Sequence, residues 1–133
     1  MPAAPSSPRR VLVVEDQEDC LATTVELISM HGYEVRAASD GEAAIAVAQA
    51  FQPHVVLLDL GLPKLDGYAV AKALRADPRT QGATLVAITG YGLPAHRERS
   101  AAAGIDLHLV KPVPPDELLK QLQRLVPAGT GPG

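Results

Sequence analysis

Short apolar runs recur along the chain: VLVV at 11–14, YEVRAA at 33–38, VVLL at 55–58, LVAI at 85–88 and LHLV at 107–110. They are β-branched and leucine-rich and about the length of strands. Three of them, VLVV, VVLL and LVAI, lack polar alternation, as parallel strands covered on both faces do. Between the runs the period changes to that of a helix. Leu21, Val25 and Ile28 form one stripe in 18–31, and Val70, Ala73 and Leu74 form another in 66–76. In 39–50, Ser39 and Glu42 have capping-box spacing ahead of Ala43, Ile45, Ala46 and Val47. Segment 95–103 is alanine-rich, and 115–125 carries Leu118, Leu119, Leu122 and Leu125. Strand and helix in alternation predict an α/β fold, a parallel sheet with helices on both faces, because right-handed crossovers lay each connecting helix back on the sheet. In such a sheet ligands bind beyond the carboxyl ends of the strands.

Composition narrows the class. The chain has 133 residues, enough for one domain with a real core. Residues 1–8, with three prolines, and 127–133, PAGTGPG, read as flexible tails around a folded part at 9–126. Apolar residues make up 47% and charged residues 20%, and the longest apolar runs are four to six residues, so no membrane span is expected. The N-terminus lacks an apolar stretch ahead of a cleavage site, and a cytoplasmic protein is expected. The single cysteine, Cys20, excludes a disulfide framework and a cysteine-based zinc cage, and reads as a small buried hydrophobe near a helix start. Net charge is -3 with dispersed Lys and Arg, so nucleic acid is not expected as a direct partner.

The chemistry lies in the residues at and just beyond the strand ends. Glu15 and Asp16 come after the first strand, Asp59 ends the third, Thr89 ends the fourth, and Lys111 and Pro112 come after the fifth. If those strands are neighbours, three carboxylates, a hydroxyl and an ammonium group meet at one sheet edge. Three acids so close repel one another and call for a divalent cation. Hard oxygen ligands without histidine or cysteine point to Mg2+. A metal before an exposed carboxylate, flanked by a lysine and a hydroxyl, suits a phosphoryl acceptor: Asp59 as nucleophile, the metal and Lys111 neutralising charge, Thr89 donating a hydrogen bond.

The segments VVEDQ (13–17), VVLLDLGLPKLDG (55–67), AITGYG (87–92) and LVKP (109–112) together resemble the receiver, or response regulator, domains of two-component signalling. The resemblance spans residues 9–126, in order and at matching spacing. It implies a five-stranded parallel sheet of order 2-1-3-4-5, flavodoxin-like, and Mg2+ held by Glu15, Asp16 and Asp59 with the carbonyl of Gly61. It also implies a cis Lys111-Pro112 peptide and phosphorylation of Asp59 by a histidine kinase or histidine phosphotransfer protein. Thr89 would act as switch, changing a partner surface made of segment 95–103, the fifth strand and the last helix, which is also the candidate dimer face. ITGYG resembles receivers attached to hybrid histidine kinases, and the chain reads either as such a receiver or as a free-standing one. By this resemblance it is not an enzyme in the ordinary sense; it catalyses only its own phosphotransfer and slow dephosphorylation.

Three positions depart from the family's commonest pattern. His108 stands where Tyr or Phe usually couples to the switch threonine. Gly61 and Tyr91 occupy sites that help set acyl-phosphate lifetime; the first has no side chain to orient water and the second could shield the phosphoryl group. Two competing readings remain. An aspartyl-phosphate phosphohydrolase would need a second acid two positions after Asp59, where Gly61 stands. A phosphorylation-independent binding module would ordinarily have lost an acid or the lysine. His31, His54 and His96 lack metal-ligand spacing and read as ordinary surface or helix-end residues, and HRERS at 96–100 as a solvated helix face.

Overall fold

The continuous apolar runs become the middle of a sheet. The computed structural model describes residues 9–60, 67–90 and 101–126. In chain order they form β1 (Arg10–Val14), α1 (Glu18–Ser29), β2 (Glu34–Ala38), α2 (Gly41–Phe51), β3 (Val55–Asp59), α3 (Gly67–Ala76), β4 (Thr84–Thr89), β5 (Leu107–Val110) and α4 (Pro115–Leu125). All strand pairs are parallel, in the order β2-β1-β3-β4-β5. The order implied by the resemblance is the order observed. β3 is buried along its whole length, whereas the edge strands β2 and β5 are largely part-exposed, in keeping with their mixed composition.

Alternate side chains of a strand point to opposite faces, and this divides the core in two. Leu12, Val14, Val56, Leu58, Leu85 and Ala87 pack beneath α2 and α3, where Ala44, Ala48, Val70 and Leu74 meet them. Val11, Val13, Val55, Leu57 and Val86 face the other way, against Ile28 of α1 and Leu118 and Leu122 of α4. Each fully buried aliphatic side chain contributes on the order of 1.5–3 kcal/mol, and most of the largest fully buried side chains belong to the central strands.

Helix ends explain two details. The N-cap of α2 is Asp40, not the expected Ser39: its Oδ1 accepts from the Ala43 N–H at 2.8 Å. Both residue types cap well, and the helix starts one residue later than the spacing predicts. At the start of α3, a Cβ on Gly67 would lie 2.8 Å from Leu60 Cα and 2.9 Å from the Asp59 carbonyl oxygen, so only glycine lets this helix begin hard against the end of β3. The helix expected at 95–103 falls mostly outside the described residues, with Ala101 and Ala102 helical at its end. Tails 1–8 and 127–133 also lie outside them.

Candidate functional site

β1, β3, β4 and β5 are consecutive in the sheet, so the residues at their carboxyl ends converge on one edge. Glu15 continues β1; its N–H donates to the Ala38 carbonyl at 3.0 Å and its side chain is buried. Its Oε2 accepts from the Gln17 N–H at 3.2 Å, which turns the carboxylate inward at the entry to α1. Asp59, the last residue of β3, is 8% exposed, and Thr89, the last of β4, is 4% exposed. Leu60 N–H donates to the Ile88 carbonyl at 3.1 Å, and Lys111 N–H to the Thr89 carbonyl at 2.7 Å, so each strand end is tied to its neighbour. The Lys111-Pro112 peptide is cis.

The parity of the strands decides which groups meet. Glu15 follows Val11 and Val13 in alternation, Asp59 follows Val55 and Leu57, and Lys111 follows Leu107 and Leu109, so all three belong to the face covered by α1 and α4. The Lys111 Nζ accordingly lies 3.3 Å from Asp59 Oδ2 and 3.5 Å from Glu15 Oε1. Thr89 and His108 are in phase with Ala87, on the α3 side: His108 pairs with Ala87 in the register and Thr89 with Val110. Thr89 thus ends β4 next to the end of β3, with its side chain on the face opposite to that of the acids.

Carboxylate oxygens of Glu15, Asp16 and Asp59 all lie within 4.8 Å of one another. Burial, chiefly, and the neighbouring Asp59 push the Glu15 carboxyl above its ordinary range, against the pull of the Gln17 N–H and Lys111. Burial alone would lower the Lys111 ammonium, but Asp59 and Glu15 together override it and hold it raised. Two buried acids and an exposed one, balanced by a single described ammonium, leave an excess of negative charge held by hard oxygens. That donor set fits Mg2+.

Cys20 differs from its expectation. It is exposed, on the first turn of α1, whereas the next residue, Leu21, is partly buried against the core and Ile28 near the other end is fully buried. A cavity of about 340 Å³ opens there beneath the acids; its walls are Val13, Leu57, Ile88 and Leu118, with Cys20 and Thr24 on the α1 side. Burial and the adjacent Glu15 raise the thiol above its usual range. Sequence reasoning missed this thiol, the Gln17 N–H and Gly67. The position of Cys20 one helical turn beyond an acidic strand end was the available signal for the first. Gly61, Tyr91, His96 and segment 96–100 lie outside the described residues.

Residues 11–123 match the model of the response regulator receiver domain. The chain belongs to this family. Members are signalling modules, not conventional enzymes. This receiver is 36% identical over 118 residues to the probable transcriptional regulator ycf27 of Cyanophora paradoxa, a match covering 89% of this chain and 48% of that one. It is 33% identical over 118 residues to the DNA-binding dual master transcriptional regulator RpaA of a Synechocystis strain, covering 88% and 48% respectively. The receiver spans about half the length of these curated relatives. Among solved structures, the chemotaxis protein CheY4 of Vibrio cholerae superposes with a TM-score of 0.85 at 31% identity, covering 89% of this chain and 98% of that one. The receiver domain of the sensor histidine kinase PA1611 from Pseudomonas aeruginosa, solved with magnesium in its active-site cleft, gives 0.80 at 31% identity, covering 88% and 96%. No described helix is long and apolar enough to cross a membrane.

Proposed function

We propose that this receiver accepts a phosphoryl group on Asp59 from a histidine kinase or histidine phosphotransfer protein and passes the signal on through a changed surface. The observation that carries the reading is the Lys111 ammonium within 3.5 Å of both Asp59 and Glu15, at an edge where three carboxylates share 4.8 Å. An Asp59 carboxylate oxygen attacks phosphorus in line, forming the acyl phosphate as the bond to the donor nitrogen breaks. Lys111 exchanges its carboxylate partner for a phosphoryl oxygen. Glu15, Asp16 and Asp59 would hold Mg2+, with the Gly61 carbonyl as the family resemblance implies, and the ion would supply the remaining compensation for charge on the equatorial oxygens. The Thr89 hydroxyl then donates to the phosphoryl group, and the free energy of that contact biases the population toward the signalling conformation. His108, on the same sheet face as Thr89, is the group through which the shift reaches β5 and the face it forms with α4.

The setting of the receiver within a hybrid histidine kinase rests on ITGYG and on the likeness to the PA1611 receiver; the sequence flanking the chain in its gene tests it. The chemistry is tested with Mg2+ and acetyl phosphate. The wild-type chain becomes phosphorylated and Asp59→Asn does not, the label is acid-labile, and it persists for minutes or longer. An Asp59-independent label would overturn the assignment. Continuous phosphate release would favour the phosphohydrolase reading, and a lifetime of seconds would contradict slow dephosphorylation.

A further inference from the structure

At the opposite edge of the sheet, His54 precedes β3 and is bonded to Arg10 in both directions. The His54 N–H donates to the Arg10 carbonyl at 2.8 Å, and the Arg10 N–H donates to His54 Nδ1 at 2.9 Å. The β1–β3 ladder begins only at Val11 and Val55, so the imidazole does for the first residue of β1 what main-chain carbonyls do for those after it. We infer that His54 is a neutral imidazole clamp that fastens the start of β1 to β3 and releases on protonation, so that mild acid loosens the point where the chain enters the fold.

The geometry prescribes the tautomer. A ring nitrogen that accepts an N–H carries no proton, so the proton of the neutral ring is on Nε2. Adding a second proton sets one N–H against another and leaves the Arg10 amide without its acceptor. The surroundings oppose that proton. Burial, first, and then Arg10 and Arg9 hold the ring below its ordinary value near 6.5. Across the adjoining cavity of about 500 Å³, the α3–β4 turn presents Arg79, whose charge is balanced by Asp77 at 2.9 Å. α4 contributes only Leu125 and Val126 there, and no carboxylate lines the cavity among the described residues. Among the described residues that line the cavity, none compensates an imidazolium.

The release is local, because the His54 carbonyl still accepts from Thr84 N–H at 2.8 Å and Arg9 still accepts from Glu34 N–H at 2.9 Å. Stability has the same sign. A base whose folded value is depressed contributes fully above its unfolded value, near 6.5, and loses that contribution as pH falls through the folded one.

The test is hydrogen exchange by NMR on the full chain, with protection factors corrected for intrinsic rates at about pH 7.5 and about pH 5. Arg10 amide protection should fall at least about tenfold in acid, while that of Val56 changes less than about twofold. His54→Asn places Oδ1 where Nδ1 stood, so the variant should keep Arg10 protected at both pH values. Arg10 protection independent of pH in the wild type overturns the inference. So does pH dependence that survives in His54→Asn, or a His54 ring that titrates above 6.5.

Discussion

At the scale of single residues, the site holds like charges close together, and a bound cation would relieve their repulsion. Glu15 is the clearest case, since burial and Asp59 raise its carboxyl value. A raised folded value means that its contribution is fully present below the ordinary 4.5 and is lost as pH rises through the folded value; at neutral pH the metal-free protein carries a strained carboxylate. Glu15→Gln should therefore raise the melting temperature of the metal-free protein at neutral pH by a few degrees, on the order of 1 kcal/mol. If the acids hold Mg2+ as proposed, the ion should raise the wild-type melting temperature further, and Glu15→Gln should reduce that rise. Calorimetry with and without Mg2+ checks both, and a variant less stable than wild type in EDTA would contradict the account. The acids were legible in the sequence because each ends or follows an apolar run. The exposure of Cys20 was not, because which residues of the first turn of α1 are covered depends on how the helix is rotated on the sheet: Leu21 packs against the core and Cys20 does not.

At the scale of elements, the site depends on how tightly α3 and β3 are joined. Gly67 sits 2.8 Å, by its missing Cβ, from Leu60 Cα. Gly67→Ala should force the loop end and Asp59 apart, costing about 1–3 kcal/mol, as overpacking does. Denaturant unfolding would measure the loss, and acetyl phosphate labelling should slow because the Asp59 carbonyl, 2.9 Å from the added Cβ, is displaced with it. Unchanged stability and labelling would mean that this junction yields freely. The N-cap of α2 teaches a smaller lesson: Ser39 and Asp40 are both capping residues, and choosing between them needs the backbone, since only the Asp40 side chain reaches the Ala43 N–H.

At the scale of the whole molecule, the sheet separates two apolar cores. Ile28 belongs to the one under α1 and α4, and Leu85 to the one under α2 and α3. Ile28→Val and Leu85→Val should each cost about 0.5–1.5 kcal/mol. Because the two side chains share no partners, the double variant should cost their sum within about 0.5 kcal/mol. A larger coupling, measured by equilibrium unfolding, would show that the sheet transmits packing strain from face to face.

The sequence by itself determined the parallel α/β architecture and the residues that terminate each strand, because hydrophobic period and strand-end chemistry are local properties of the chain. It also carried the family, through four motifs at matching spacing. Only the tertiary structure decided that Glu15, Asp59 and Lys111 share one face while Thr89 and His108 come from the other, since that depends on where each strand enters the register. His54 belongs to the same class. By sequence it was an ordinary surface or helix-end histidine, and it became the acceptor for Arg10 only when β1 and β3, distant in sequence, were laid side by side.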